Sequence, residues 1–254
     1  MVTRMLYVFA VAAALAGCRA ATVPPRDAAT TPAPGAGADL IFDRYAEAVG
    51  GQEAVDRVKT LSLKGEFEMT GRAARLPVEV YIRKPDRALM VISVPGLGEI
   101  RRGIAGGEGW AQVPAVGVVE DSPAEITEVE RDYDVYQAGR IRELYKSVSA
   151  GGRARLGGRE HLVVEGRPAR GPAEKMFFDA ETGLLRRWDV ARRRPGRNIV
   201  FAHVYLDDYR EVDGVKVPFT VRYYIEPRFL TLRLHEVKHN VPLADAIFKR
   251  PAGR

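Results

Sequence analysis

Residues 61–82 constrain the fold of this chain more than any other stretch. Leu61, Leu63, Phe67 and Met69 alternate with Ser62, Lys64, Glu66 and Glu68, the period-two pattern of a strand with one wet face. Thr70-Gly71 signals a turn, after which Leu76, Val78, Val80 and Ile82 alternate again. The pair predicts an antiparallel hairpin with a single apolar face. Similar runs recur almost to the C-terminus, at 87–94, 99–105, 109–113, 152–156, 160–165, 175–179, 184–191, 198–206, 216–225 and 229–237. Turn signals such as Gly157-Gly158, Glu181-Thr182-Gly183 and Asp213-Gly214 separate several of them, and Asp207-Asp208 reads as a strand end and turn. A large curved antiparallel sheet follows, and helices, another sheet or an apolar ligand must cover its apolar face.

Two stretches change period. In 39–49, Leu40 or Ile41, Tyr45 and Val49 share one helical face, Asp39 is placed to cap the start, and Gly50-Gly51 ends the segment. A short second helix, 52–58, leads into the first strand. In 123–148, Ile126, Val129, Tyr133, Tyr136, Ile141, Leu144, Tyr145 and Val148 recur at intervals of mostly three and four. Acids lie early and bases late, as helix dipoles favour. One or two helices, broken near Gly139, would plug the concave side of the sheet.

The N-terminus is of a different kind. Arg4 precedes an apolar run, 5–16, too short to span a membrane as a stable helix, and residues 1–17 read as an export signal. Leu15-Ala16-Gly17-Cys18 resembles the bacterial lipobox, in which the signal is cut before a cysteine that then receives lipid. Cys18 is the only cysteine, so no intramolecular disulfide can form. The alternative is an ordinary secretory signal that ends by chance in a cysteine. Residues 18–38 are mostly Ala, Thr, Pro and Gly, a tether without the apolar bulk to build a core. Residues 39–254 then form a single β-rich domain. The chain carries a net charge of +6, which suits an anionic surface or merely keeps it soluble. No run of like charge calls for nucleic acid.

Taken together, the export signal, the leading helix and the two meanders around a helical insert resemble the LolA/LolB type of outer-membrane lipoprotein-sorting proteins. The resemblance rests also on Phe178-Asp179-Ala180-Glu181-Thr182-Gly183-Leu184-Leu185, on the run from Asp208-Tyr209 to Val217-Pro218, and on the closing Asn240-Val241-Pro242-Leu243 with Phe248 and Pro251. It implies a mainly β (α+β) fold, an unclosed antiparallel β-barrel of about eleven strands with helices over its concave face. It also implies acyl chains, palmitate among them, held in an apolar cavity. Arg19, rather than Asp, follows the cysteine, and an Asp there resembles an inner-membrane retention signal, so the implied location is the periplasmic face of the outer membrane, anchored through Cys18.

Other motifs compete with this reading. His235-Glu236-Val237-Lys238-His239 matches H-E-x-x-H, which on a helix holds zinc with the glutamate as base. Yet Leu230, Leu232 and Leu234 alternate, and on a strand residues four apart lie about 13 Å apart. Leu230, Leu234 and Val237 also fit a helical face, and Pro227 could open one. Pro242 stands where the extended motif needs glycine. No G-x-S-x-G, P-loop or C-x-x-C is present. Arg186, Arg187, Arg192, Arg193, Arg194 and Arg197 crowd one hairpin; lipid phosphates, an acidic partner or plain solvent would suit them.

The expected function is therefore non-enzymatic and without cofactor or metal: a membrane-anchored protein that binds acyl chains of lipid or lipoprotein. Leu63, Phe67, Met69, Val78, Val80, Ile82, Phe201, Phe219, Val221 and Tyr223 would line the cavity or, as an alternative for each, simply pack the core. A zinc peptidase using His235, Glu236 and His239 and a purely structural envelope lipoprotein are the rival readings.

Overall fold

The computed structural model describes residues 37–69, 75–134, 138–169, 171–192, 200–225 and 228–252; Cys18, the signal and most of the tether lie outside them. Two helices, α1 (Ala38–Ala48) and α2 (Gln52–Arg57), precede six strands: β1 (Thr60–Met69), β2 (Arg75–Arg83), β3 (Arg87–Val94), β4 (Gly98–Ala105), β5 (Glu108–Val113) and β6 (Gly117–Glu120). After helix α3 (Pro123–Asp134) and a 3-10 helix (Ala138–Leu144) come β7 (Ser147–Leu156), β8 (Arg159–Arg167), β9 (Glu174–Asp179), β10 (Leu185–Arg192), β11 (Val200–Val212), β12 (Val215–Ile225) and β13 (Arg228–His239). No helix among the described residues is long and apolar enough to cross a membrane.

All 13 strands form one antiparallel sheet in the order β6-β5-β4-β3-β2-β1-β13-β12-β11-β10-β9-β8-β7. Each meander is sequentially local, and the pairing of β1 with β13 joins the two. The sheet ends at β6 and β7 and does not close. Because α3 and the 3-10 helix connect those two edge strands, the insert necessarily crosses the opening that the sheet leaves. The sheet has two strands more than the expected eleven. Four-residue β6 lacks its own strand pattern in the sequence, and 87–113 supplies the others as expected.

The local chemistry explains each boundary. Gly37, rather than Asp39, is the N-cap of α1. Asp39 sits in the first turn, where its carboxylate accepts a 2.8 Å bond from Arg142 Nε. Gly51 N bonds to Ala46 O and Gly50 N to Glu47 O, the Schellman arrangement, and Gly50 has φ 125°. At α3, Ser122 N and Oγ both donate to Glu125 Oε2 at 2.7 and 2.6 Å, and Glu125 N reaches back to Ser122 Oγ. This is a capping box, with Pro123 at the first helical position. β11 runs six residues past the expected end, correcting the turn assigned to Asp207-Asp208. Asp207 instead accepts from Arg186 and Arg222, and Asp208, at φ 54°, turns the strand so that Tyr209 follows Leu206 toward the core.

One continuous core lies on the concave face, uniting Leu61, Leu63, Val80, Phe178, Trp188, Val204, Val221 and Leu232 with Ile41, Phe42, Tyr45 and Val49 of α1, Val129 and Tyr133 of α3, and Ile141 and Tyr145. A smaller cluster sits on the convex face. There the 3-10 helix Asp245–Phe248 folds back and buries Phe248 against Leu89 and Trp110. Arg83 and Arg87 pair with Asp245, and Arg250 with Glu120. Gly103 leaves the Trp110 ring room to lie on the backbone, since a Cβ there would enter the ring. Truncating this strap should be costly. Phe248→Ala is expected to lower unfolding stability by about 3–5 kcal/mol in urea titration while leaving far-UV circular dichroism unchanged.

Candidate functional site

The concave face is where a ligand is expected from the sequence, and its rows can be followed strand by strand. Leu63 faces Val80 on β2 and Val237 on β13, and Val80 faces Met90. Phe67 faces Leu76 on one side and Leu232 on the other; Leu232 continues to Val221 and Leu206. Leu63, Phe67, Val78, Val80, Ile82, Phe219 and Val221 are all buried in this one cluster. Tyr223 packs against it half-buried, and the guanidinium of Arg210 stands 4.5 Å from the Phe219 ring centre. Met69 closes β1 opposite Leu230; its side chain lies outside the description.

Phe201 is not among them. Ala202, Val204 and Leu206 take the inward positions of β11, so Phe201, one residue out of phase, faces outward and is 64% exposed. Its bulk suggested a lining residue where its parity forbids one.

Polar groups pin the helical cover to the sheet at several places, three of which lie against this apolar face. First, Arg102 lies between Met90 and Ala111 on the inner face and binds Asp121, just before α3, at 3.0 Å; only 11% and 4% of the two side chains are exposed. Burial pushes the Asp121 carboxyl above its ordinary range, with Arg102 opposing. Tyr133 of α3 donates to the Arg102 carbonyl at 3.4 Å. Second, Tyr45 of α1 and Tyr209 of β11 are hydrogen-bonded to each other, and Tyr209 also donates to Leu185 O at 2.8 Å. Burial raises both phenols far above the usual value. Third, buried Glu174 accepts from Tyr145 OH at 2.8 Å and from Trp188 Nε1 at 3.1 Å. The Tyr145 ring occupies the place that a Cβ on Gly166 would need. None of these contacts was legible in the sequence, because each joins residues far apart in the chain or in different elements.

The H-E-x-x-H segment lies in β13. Lys64 faces Glu236 while Gly65 faces Leu234, so His235 is the extra residue of a β-bulge. A Cβ on Gly65 would run into the Arg233 carbonyl, which is why glycine stands there. His235 is exposed and the His239 ring is buried, so the helical zinc arrangement is not formed. Among the described residues no group of three or more His, Cys, Asp or Glu could hold a metal. In the arginine-rich hairpin, Arg186 pairs with Asp207 at 2.5 Å and Arg187 with Asp189 at 2.6 Å. The Arg187 guanidinium also lies between the rings of Phe177 and Tyr205. Residues 193–199 are outside the described residues.

Two predictions follow from these contacts. Replacing Arg102 alone strands a buried carboxylate, so Arg102→Met should cost about 3–5 kcal/mol, and adding Asp121→Leu should recover most of it, as read by urea unfolding. His161 and His239 both bind protons less readily than ordinary histidine, chiefly through burial. Stability should therefore be full above about pH 6.5 and fall as the pH drops below it, because the unfolded chain takes up protons first. Melting curves between pH 8 and 5 should show a smaller decline for His239→Leu than for the natural protein.

No family model and no curated protein matches the sequence. The fold does have solved counterparts. A DUF1329 family protein from Desulfovibrio piger superposes with a TM-score of 0.57 at 15% identity, over 83% of this chain and 96% of that one. A LolA superfamily protein from Nitrosomonas europaea gives 0.57 at 10% identity, over 85% and 99%. A putative outer membrane lipoprotein-sorting protein domain from Vibrio parahaemolyticus gives 0.55 at 11%, over 82% and 97%. The chain thus has the LolA-like fold, an unclosed antiparallel sheet wrapped around helices.

Proposed function

We propose that this protein is a lipid-anchored acyl-chain binder of the bacterial envelope, tethered through Cys18 to the periplasmic face of the outer membrane and handling lipid or lipoprotein there. One observation carries the reading: the apolar concave face is covered by short, separate helical pieces, two of which lie in the connection between the sheet's own edges. Such a cover can be exchanged for a ligand of like polarity without breaking the sheet. An acyl chain of about fifteen methylenes, at about 0.8 kcal/mol each, supplies roughly 12 kcal/mol of transfer free energy, enough to compete with the helices for the same surface. Leu63, Phe67, Val78, Val80, Ile82 and Val221 would form the floor. Chemistry is not needed for this role, and we assign no catalytic residue.

The test is direct. Protein purified under mild conditions should carry acyl lipid detectable by mass spectrometry, and delipidated protein should rebind a fluorescent fatty acyl probe. Failure of both would leave a fully self-packed structural module as the correct reading. Cys18→Ala should move the protein from the membrane fraction to the soluble fraction of the envelope. Continued membrane association would remove the anchor from the proposal.

A further inference from the structure

His239 is the one polar side chain in its row of the concave face. It stands opposite Leu61 at the end of β13, and the row continues through Ile82, Ala88 and Ile104. Only 1% of its side chain is exposed, and neither ring nitrogen has a hydrogen-bond partner among the described residues. Buried polar groups left this way are rare, and aliphatic side chains fill the rest of the row. Two charged groups face the ring from other elements. Asp213, at the turn between β11 and β12, places Oδ2 3.7 Å from Nδ1 and is itself 71% exposed; Lys84, in the turn after β2, is the other.

The sheet is interrupted beside this ring. β12 pairs with β13 only from Thr220 to Ile225, opposite Arg228 to Arg233, whereas β13 continues along β1 to His239 and β12 begins at Val215 along β11. Below Thr220 the backbone of β12 turns to α1 instead, with Lys216 N donating to Val49 O at 2.8 Å. His239 therefore sits where an apolar wall meets a break in the strand ladder, with a solvated carboxylate behind it.

The chemistry of that arrangement is selective. Asp213 favours the tautomer with hydrogen on Nδ1, which leaves Nε2 as a bare acceptor in a dry wall. A carboxylic acid satisfies it: the acid O–H bond breaks, an N–H bond forms at Nε2, and the imidazolium is held between two carboxylates. An ester or amide end offers no such proton and leaves the nitrogen unsatisfied. We propose that His239, with Asp213 behind it, is the polar end of the acyl site and selects chains that end in a free carboxyl group. This inference rests on the acyl-binding reading above.

Fluorescence titration of the delipidated protein with cis-parinaric acid and with its methyl ester, at pH 6 and pH 8, tests both separately. The natural protein should bind the acid at least tenfold more tightly than the ester at pH 6, with the preference shrinking at pH 8 as the ligand must bring a proton. His239→Leu should abolish the preference, chiefly by weakening binding of the acid. His239→Gln, which stays polar but cannot take the proton, should lose it too and serves if the leucine variant does not fold. Asp213→Asn should weaken it severalfold. Equal binding of acid and ester, or a preference that survives both His239 variants, overturns the inference and leaves the acyl-binding reading intact. Binding of neither probe to the natural protein overturns that reading and the inference together.

Discussion

A sheet that is apolar on one face and unclosed at its edges must hide that face with something that is not sheet. Everything else in this molecule answers that constraint. The alternation of Leu61, Leu63, Phe67, Val78, Val80 and Ile82 directs these side chains to one side. The right-handed twist of thirteen strands bends that side into a concavity. Among the described residues, the segment that joins edge β6 to edge β7 is largely helical and packs apolar side chains on that face, beside those of α1. Cover and opening are thus two consequences of one connection.

The cover is held differently from the sheet. Ladder hydrogen bonds link every neighbouring pair of strands from β6 to β7, while the helices are attached by burial and by discrete polar contacts, among them Arg102 with Asp121, Tyr45 with Tyr209 and Tyr145 with Glu174. Burial is non-directional, so one apolar occupant can replace another at little net change. Polar contacts are directional and costly to leave unmade in an apolar surrounding. They give the covered arrangement one geometry and fix it at named residues.

Much of this was readable from residue order. Period two located twelve of the strands, the period change at Ser122 located α3, and Gly50-Gly51 located the end of α1. The misses have physical causes. β6 is four residues long and gives no period to count. Asp207-Asp208 carries turn composition, but Asp207 is neutralised by two arginines from neighbouring strands, so tertiary pairing overrides local preference. Phe201, expected on the apolar face, is one residue out of phase with Ala202, Val204 and Leu206 and faces outward. The anchors of the cover and the surroundings of His239 belong to contacts between different elements, which no local pattern encodes.

The ambiguity of the C-terminal strand has a single origin. Leu230, Leu234 and Val237 are spaced as on a helix, yet they lie on a strand. The bulge at His235 explains both facts. Leu230, Leu232 and Leu234 face inward at intervals of two, the extra residue adds one, and Val237 and His239 resume the inward series. A two-residue period with one insertion contains an interval of three, and over eight residues that imitates helical spacing. The same insertion decides which face receives His239. Without it, Glu236 and Lys238 would point into the apolar concavity and the imidazole would lie in solvent. Gly65, the residue that admits the bulge by lacking a Cβ, therefore sets the chemistry at the end of the concave face from the strand opposite.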